Sequence, residues 1–144
     1  MKKKVIKMML SSMLIFLPVL TLFPSSLMAE SKEIKEIEVV VKVSHEGFFD
    51  AEGRPLNNIL KVPKESKVKI LFEFVGTDSG GDTHEFALLF ESGEEIYSDP
   101  ISSQSKRSHI EFLSGKVGEQ YEIYCIIGDC DGMDNLTDLV VYAV

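Results

Sequence analysis

Across residues 68–75 the chain alternates, with Val68, Ile70, Phe72 and Phe74 set against Lys69, Leu71 and Glu73. A period of two sends successive side chains to opposite faces of an extended strand, so this stretch carries one strongly apolar face that must be covered. The same grammar recurs at 37–43, 57–62, 85–90, 108–113, 121–127 and 139–144, which are rich in β-branched and aromatic residues. Gly, Pro, Asp and Ser separate these runs. Residues 45–55 hold Gly47, Asp50, Gly53 and Pro55 and read as a loop, and 76–82 as a glycine-rich turn. Residues 99–104 form a polar loop with room for a helical turn, Asp99 serving as cap ahead of Pro100. No segment has the period of a long amphipathic helix. Seven to eight short strands at this spacing predict an all-β domain, a β-sandwich or barrel.

The first residues belong to a different kind of segment. Lys2, Lys3, Lys4 and Lys7 form a basic start, an apolar stretch runs from Met8 to Phe23, and Pro24, Ser25, Ser26 and Ala29 follow. That order describes a secretory signal peptide, residues 1–29, cleaved after Ala29. The apolar stretch is shorter than the roughly 20 residues of a spanning helix, and no second one follows, so no membrane span is expected in the mature chain. Export places the protein in a periplasmic or extracellular setting. Residues 30–36 read as a short charged tether and 37–144 as the domain. Removing residues 1–29 leaves 115 residues of the 144, enough for one domain and too few for two.

The lost segment carries four lysines and no acid, so the formal net charge falls from −8 to −12. Such a surface repels phosphate backbones, which argues against nucleic acid, and favours a basic partner. No nucleophile elbow or phosphate-cradling glycine motif is present, and no enzyme activity is expected.

The chemistry gathers at two places. One is Thr83-His84-Glu85-Phe86, at the head of a strand. The other is the run from Tyr124-Cys125 through Asp129, Cys130 and Asp131 to Gly132-Met133, between the last two strands. Thiolate, thioether and imidazole are soft or borderline donors that suit copper better than calcium or magnesium. The only two cysteines, Cys125 and Cys130, either hold a metal or bond to each other in an oxidising compartment. His45 and His109 lack soft neighbours and read as ordinary.

Over residues 37–144 the chain resembles the cupredoxins, the small blue-copper proteins that include plastocyanin and azurin. The resemblance rests on His84 at the head of a middle strand, on Tyr124-Cys125 closing the penultimate strand, and on Gly132-Met133 before the last. It implies a Greek-key β-sandwich with a copper site at one pole, and an exported protein passing single electrons to a redox partner with a basic docking surface. The family's loop histidine is missing, since no His follows His109, and Cys130 stands about where azurin-like loops place it. The implied metal set is then His84, Cys125, Cys130 and Met133. Paired cysteines beside a methionine also resemble the two-copper purple centre of cytochrome oxidase, but that centre needs the absent histidine, so a mononuclear site is expected. Two other expectations stay open: an envelope copper(I) carrier or chaperone, and a metal-free binding module of the same fold with a Cys125–Cys130 disulfide.

Overall fold

Nine strands form among the described residues of the computed structural model, which are 31–44, 46–76, 83–126 and 138–144. They are β1 (Glu36–Ser44), β2 (Gly47–Phe49), β3 (Ile59–Val62), β4 (Lys67–Phe74), β5 (Phe86–Phe90), β6 (Glu95–Tyr97), β7 (Arg107–Leu113), β8 (Gln120–Cys125) and β9 (Leu139–Ala143). The expected signal peptide with its cleavage point, and His45, Asp129, Cys130, Asp131 and Met133, lie outside the described residues. No helix among the described residues is long and apolar enough to cross a membrane.

The strands make two sheets, β2-β1-β4-β7 and β3-β9-β8-β5-β6. Each is mixed: β1 runs parallel to β4 and β3 parallel to β9, while the other pairs are antiparallel. The chain passes between sheets five times, at the β2–β3, β3–β4, β4–β5, β6–β7 and β7–β8 connections. Alternation explains why two layers form. In β4 the buried positions are Val68, Ile70, Phe72 and Phe74, and in β7 they are Ser108, Ile110 and Phe112. Facing them from the other sheet are Phe86, Leu88, Ile123, Leu139 and Val141, all buried. Phe72 and Phe86 stack between the layers with ring centroids 4.5 Å apart.

The outer face of the four-stranded sheet is a ladder of opposite charges. Glu36 lies opposite Lys67, Glu38 opposite Lys69, and Glu73 opposite both Lys42 and Arg107. The ion pairs measure 3.1 Å for Lys67–Glu36, 3.2 Å for Lys69–Glu38 and 3.5 Å for Arg107–Glu73. Exposed pairs of this kind set register more than they add stability.

Nine strands exceed the seven to eight expected. The additions are β2 and β6, each three residues long and too short to show a period. Each is made by a turn. Gly93, at φ 85°, closes the β5–β6 hairpin, where Gly93 N–H donates to the Phe90 carbonyl at 2.9 Å. The strand expected from residue 57 begins at Ile59, because Asn57 and Asn58 take left-handed backbone angles, φ 50° and 63°, which Asn tolerates. The helical turn expected at 99–104 is absent. There Ile101 pairs with His84 as an isolated bridge, and the Ser102 hydroxyl accepts the Gln104 and Ser105 N–H groups at 3.2 and 3.1 Å.

Removing the ring that joins the layers should be costly. Phe72→Ala is expected to lower unfolding free energy by about 3–5 kcal/mol in a denaturant titration. Leu113→Ala, at a side chain 57% exposed, should change it by less than about 0.5 kcal/mol.

Candidate metal centre

The strand that ends in Cys125 lies directly beside the strand that His84 leads. In the β5–β8 pairing Phe86 stands opposite Cys125, Leu88 opposite Ile123 and Phe90 opposite Tyr121. The pairing continues past the strand ends, with Ile126 N–H donating to the Glu85 carbonyl at 2.9 Å. Residues opposite each other in an antiparallel pair share a face, and so do residues two apart on one strand. His84, Phe86 and Cys125 therefore all project from the inner face of the five-stranded sheet, at one end of the sandwich. In a regular ladder such diagonal positions are roughly 7–8 Å apart at the backbone, a gap that an imidazole and a thiol reaching inward can share.

His84 is 1% exposed. Its N–H donates to the Ile101 carbonyl at 2.8 Å and its carbonyl accepts the Ile101 N–H at 2.7 Å. Its ring stacks on Phe74, the last residue of β4, with centroids 5.6 Å apart and planes 28° apart. Cys125 is half-buried and packs against the apolar core. One imidazole and one thiol at the end of an apolar interior are donors of the kind copper takes. They are two of the four residues expected to bind metal; Cys130 and Met133 belong to 127–137, outside the described residues. No group of three or more His, Cys, Asp or Glu side chains that suits a metal occurs among the described residues. His109 lies elsewhere, on the outer face of the four-stranded sheet, 3.8 Å from Glu111.

On the other side of the five-stranded sheet is a network the sequence reading missed. Tyr124 and Tyr97 flank Ala87 from β8 and β6. Both hydroxyls donate to Glu95, Tyr97 at 2.5 Å to Oε2 and Tyr124 to Oε1. Tyr124 is the residue before Cys125, so the bond ties the strand that carries the thiol to the sheet edge. The shared carboxylate holds Tyr124 neutral and pushes its pKa up to about 12, and Tyr97 is raised for the same reason. The two hydroxyls, Tyr124's first, lower the pKa of Glu95 in return. On the same face Glu122 is raised by its hydrogen bond with Asp138 and then by desolvation. No sequence period links positions 95, 97 and 124, because the cluster exists only once β6 and β8 flank β5.

No family model and no curated protein matches the chain. Solved structures do. Auracyanin B is 10% identical with a TM-score of 0.53, over 78% of this chain and 91% of that one. Auracyanin A, a blue copper protein from the green thermophilic photosynthetic bacterium Chloroflexus aurantiacus, is 12% identical with a TM-score of 0.53, over 76% of this chain and 99% of that one. The chain thus has the cupredoxin-like β-sandwich fold. At such low identity the likeness establishes the fold and no ligand set.

The Glu95 network makes a prediction in two pH windows. Tyr124 contributes stability below the ordinary tyrosine range that is lost as pH rises through about 12. Glu95 contributes stability above the ordinary carboxylate range that is lost as pH falls through its lowered value. In site-resolved NMR titration, Tyr124 should ionise near 12 in the native chain and move toward 10 in Glu95→Gln. An unchanged Tyr124 midpoint in that variant would contradict the network.

Proposed function

We propose that this chain is an exported copper-binding protein that carries single electrons. The observation that carries the reading is the β5–β8 register, which sets His84 and Cys125 on one inner face at one end of the sandwich. The fold shared with a blue copper protein supports it. In this reading His84 would supply an imidazole nitrogen, Cys125 a thiolate, Met133 a thioether, and Cys130 a second thiolate in place of the missing loop histidine. Copper bound there would supply one-electron redox chemistry between its +1 and +2 states.

The chain's own residues make that exchange inexpensive. His84 is held at both backbone groups by Ile101 and at its ring by Phe74. Cys125 is held through the β5 ladder and, one residue away, by the Tyr124–Glu95 bond. Donors that do not move need little rearrangement when charge changes. Phe74 and Phe86, both buried, line the apolar side of the buried His84.

Docking follows from how the two outer faces treat their acids. On the four-stranded sheet Glu36, Glu38 and Glu73 meet lysine or arginine. On the five-stranded sheet Glu95 meets tyrosines and Glu122 meets Asp138. A basic redox partner is drawn to the second face, since its negative charge has no ion pair among the described residues.

One soft feature favours a second reading. Two thiolates with one imidazole hold copper(I) especially well, which suits a carrier that hands copper on. Reconstitution of the purified chain separates the two. The electron carrier should take up one Cu(II) per chain with intense thiolate-to-copper absorption in the visible. Tight Cu(I) binding without a stable coloured Cu(II) form would identify the carrier of copper itself. Cys125→Ser should abolish copper binding under both. Wild-type affinity in that variant, or a wild-type chain without stoichiometric copper, would sink both and leave a metal-free binding module.

A further inference from the structure

The pairing with Ile101 fixes the backbone of His84 and leaves its side chain two torsions, the second of them broad in histidine. Something else must set the plane of the ring. Phe74 lies against it from the opposite sheet, 5.6 Å between centroids and 28° from parallel. Phe74 is itself fully placed. It is 2% exposed, its N–H donates to the Lys106 carbonyl at 2.8 Å, and the next residue, Val75, donates to the Val43 carbonyl at 2.9 Å. Its far edge is set by Gly76. A Cβ at that position would stand 2.6 Å from Phe74 Cζ and 3.0 Å from Cε1, closer than real contacts allow. The backbone of residue 76 thus lies close against the ring, and a side chain there would push the ring from its place.

We propose that Phe74 is a positioning residue for His84, and that the missing side chain at Gly76 sets Phe74. A near-parallel stack covers one face of the imidazole. It leaves the in-plane nitrogen lone pairs, which are the ones metals use, uncovered by that ring. Phe74 thereby fixes the plane in which His84 offers a nitrogen, before any metal arrives. The functional meaning of this geometry rests on the copper reading above; the geometry itself does not.

The test uses the metal-free full chain first. The ring current of Phe74 displaces the His84 ring-proton signals in NMR. Phe74→Leu keeps an apolar side chain and should remove that displacement, and Gly76→Ala, pushing from behind, should change it. Phe112→Leu is the control. Phe112 is also a buried aromatic of this sheet, but it lies opposite Val68 at the other end of β4, against Phe90 and Tyr121. It should leave the His84 signals in place. With copper, Phe74→Leu should retain the wild-type stoichiometry while its absorption maximum and EPR hyperfine splitting shift. His84 signals unmoved in Phe74→Leu and Gly76→Ala, or moved as far by Phe112→Leu, overturn the inference. Should Phe74→Leu fail to fold, Gly76→Ala carries the test alone. A wild-type chain that takes no copper defeats the copper reading, and the metal-free spectra still decide the positioning.

Discussion

Everything at the chemically interesting end of this protein depends on the pairing of β5 with β8. These strands come from distant parts of the chain, and one register brings Phe86, two residues past His84, opposite Cys125. A shift of one residue would turn the thiol to the outer face and bury Tyr124 in its place, because side chains alternate. The core forbids that shift. Ile123, Tyr121, Leu88 and Phe86 are all buried on the inner face, and each would exchange places with an outer residue such as Glu122. The register that sets His84 and Cys125 on one face is therefore secured by the hydrophobic effect acting several residues away.

The two sheets contribute different things to that end. The five-stranded sheet presents His84 and Cys125. The four-stranded sheet presents the wall against which His84 rests, through Phe74. Their outer faces also differ. One neutralises its charges within itself, and the other holds acids among tyrosines. Among the described residues, the strand carboxylates that form ion pairs lie on the four-stranded sheet, while Glu95 and Glu122 of the five-stranded sheet bond to tyrosines and to Asp138.

Much of this was legible in the sequence. The alternation at 68–75 marks the inner face of β4 down to Phe74, and the branched runs mark the other long strands. The Thr83-His84 and Tyr124-Cys125 pairs stand out because soft donors are rare in this chain. The short strands β2 and β6 were not legible, since three residues carry no period and pair only because a turn delivers them. The partnership of Phe74 with His84 was hidden for a related reason. Phe74 reads correctly as core, but which residue it covers depends on how two sheets stack. Gly76 reads as one more turn glycine, and only the nearness of the Phe74 ring shows that a side chain there would displace it. The Tyr97–Glu95–Tyr124 network joins three positions across strands and has no linear signature at all.

The central claim is that an imidazole and a thiolate at this pole hold one copper together. X-ray absorption of the copper-loaded chain tests it most directly. A short sulfur shell with imidazole scattering is expected, with loss of the imidazole contribution in His84→Gln and the sulfur retained. A first shell of oxygen and nitrogen alone, or a spectrum indifferent to His84, would contradict it.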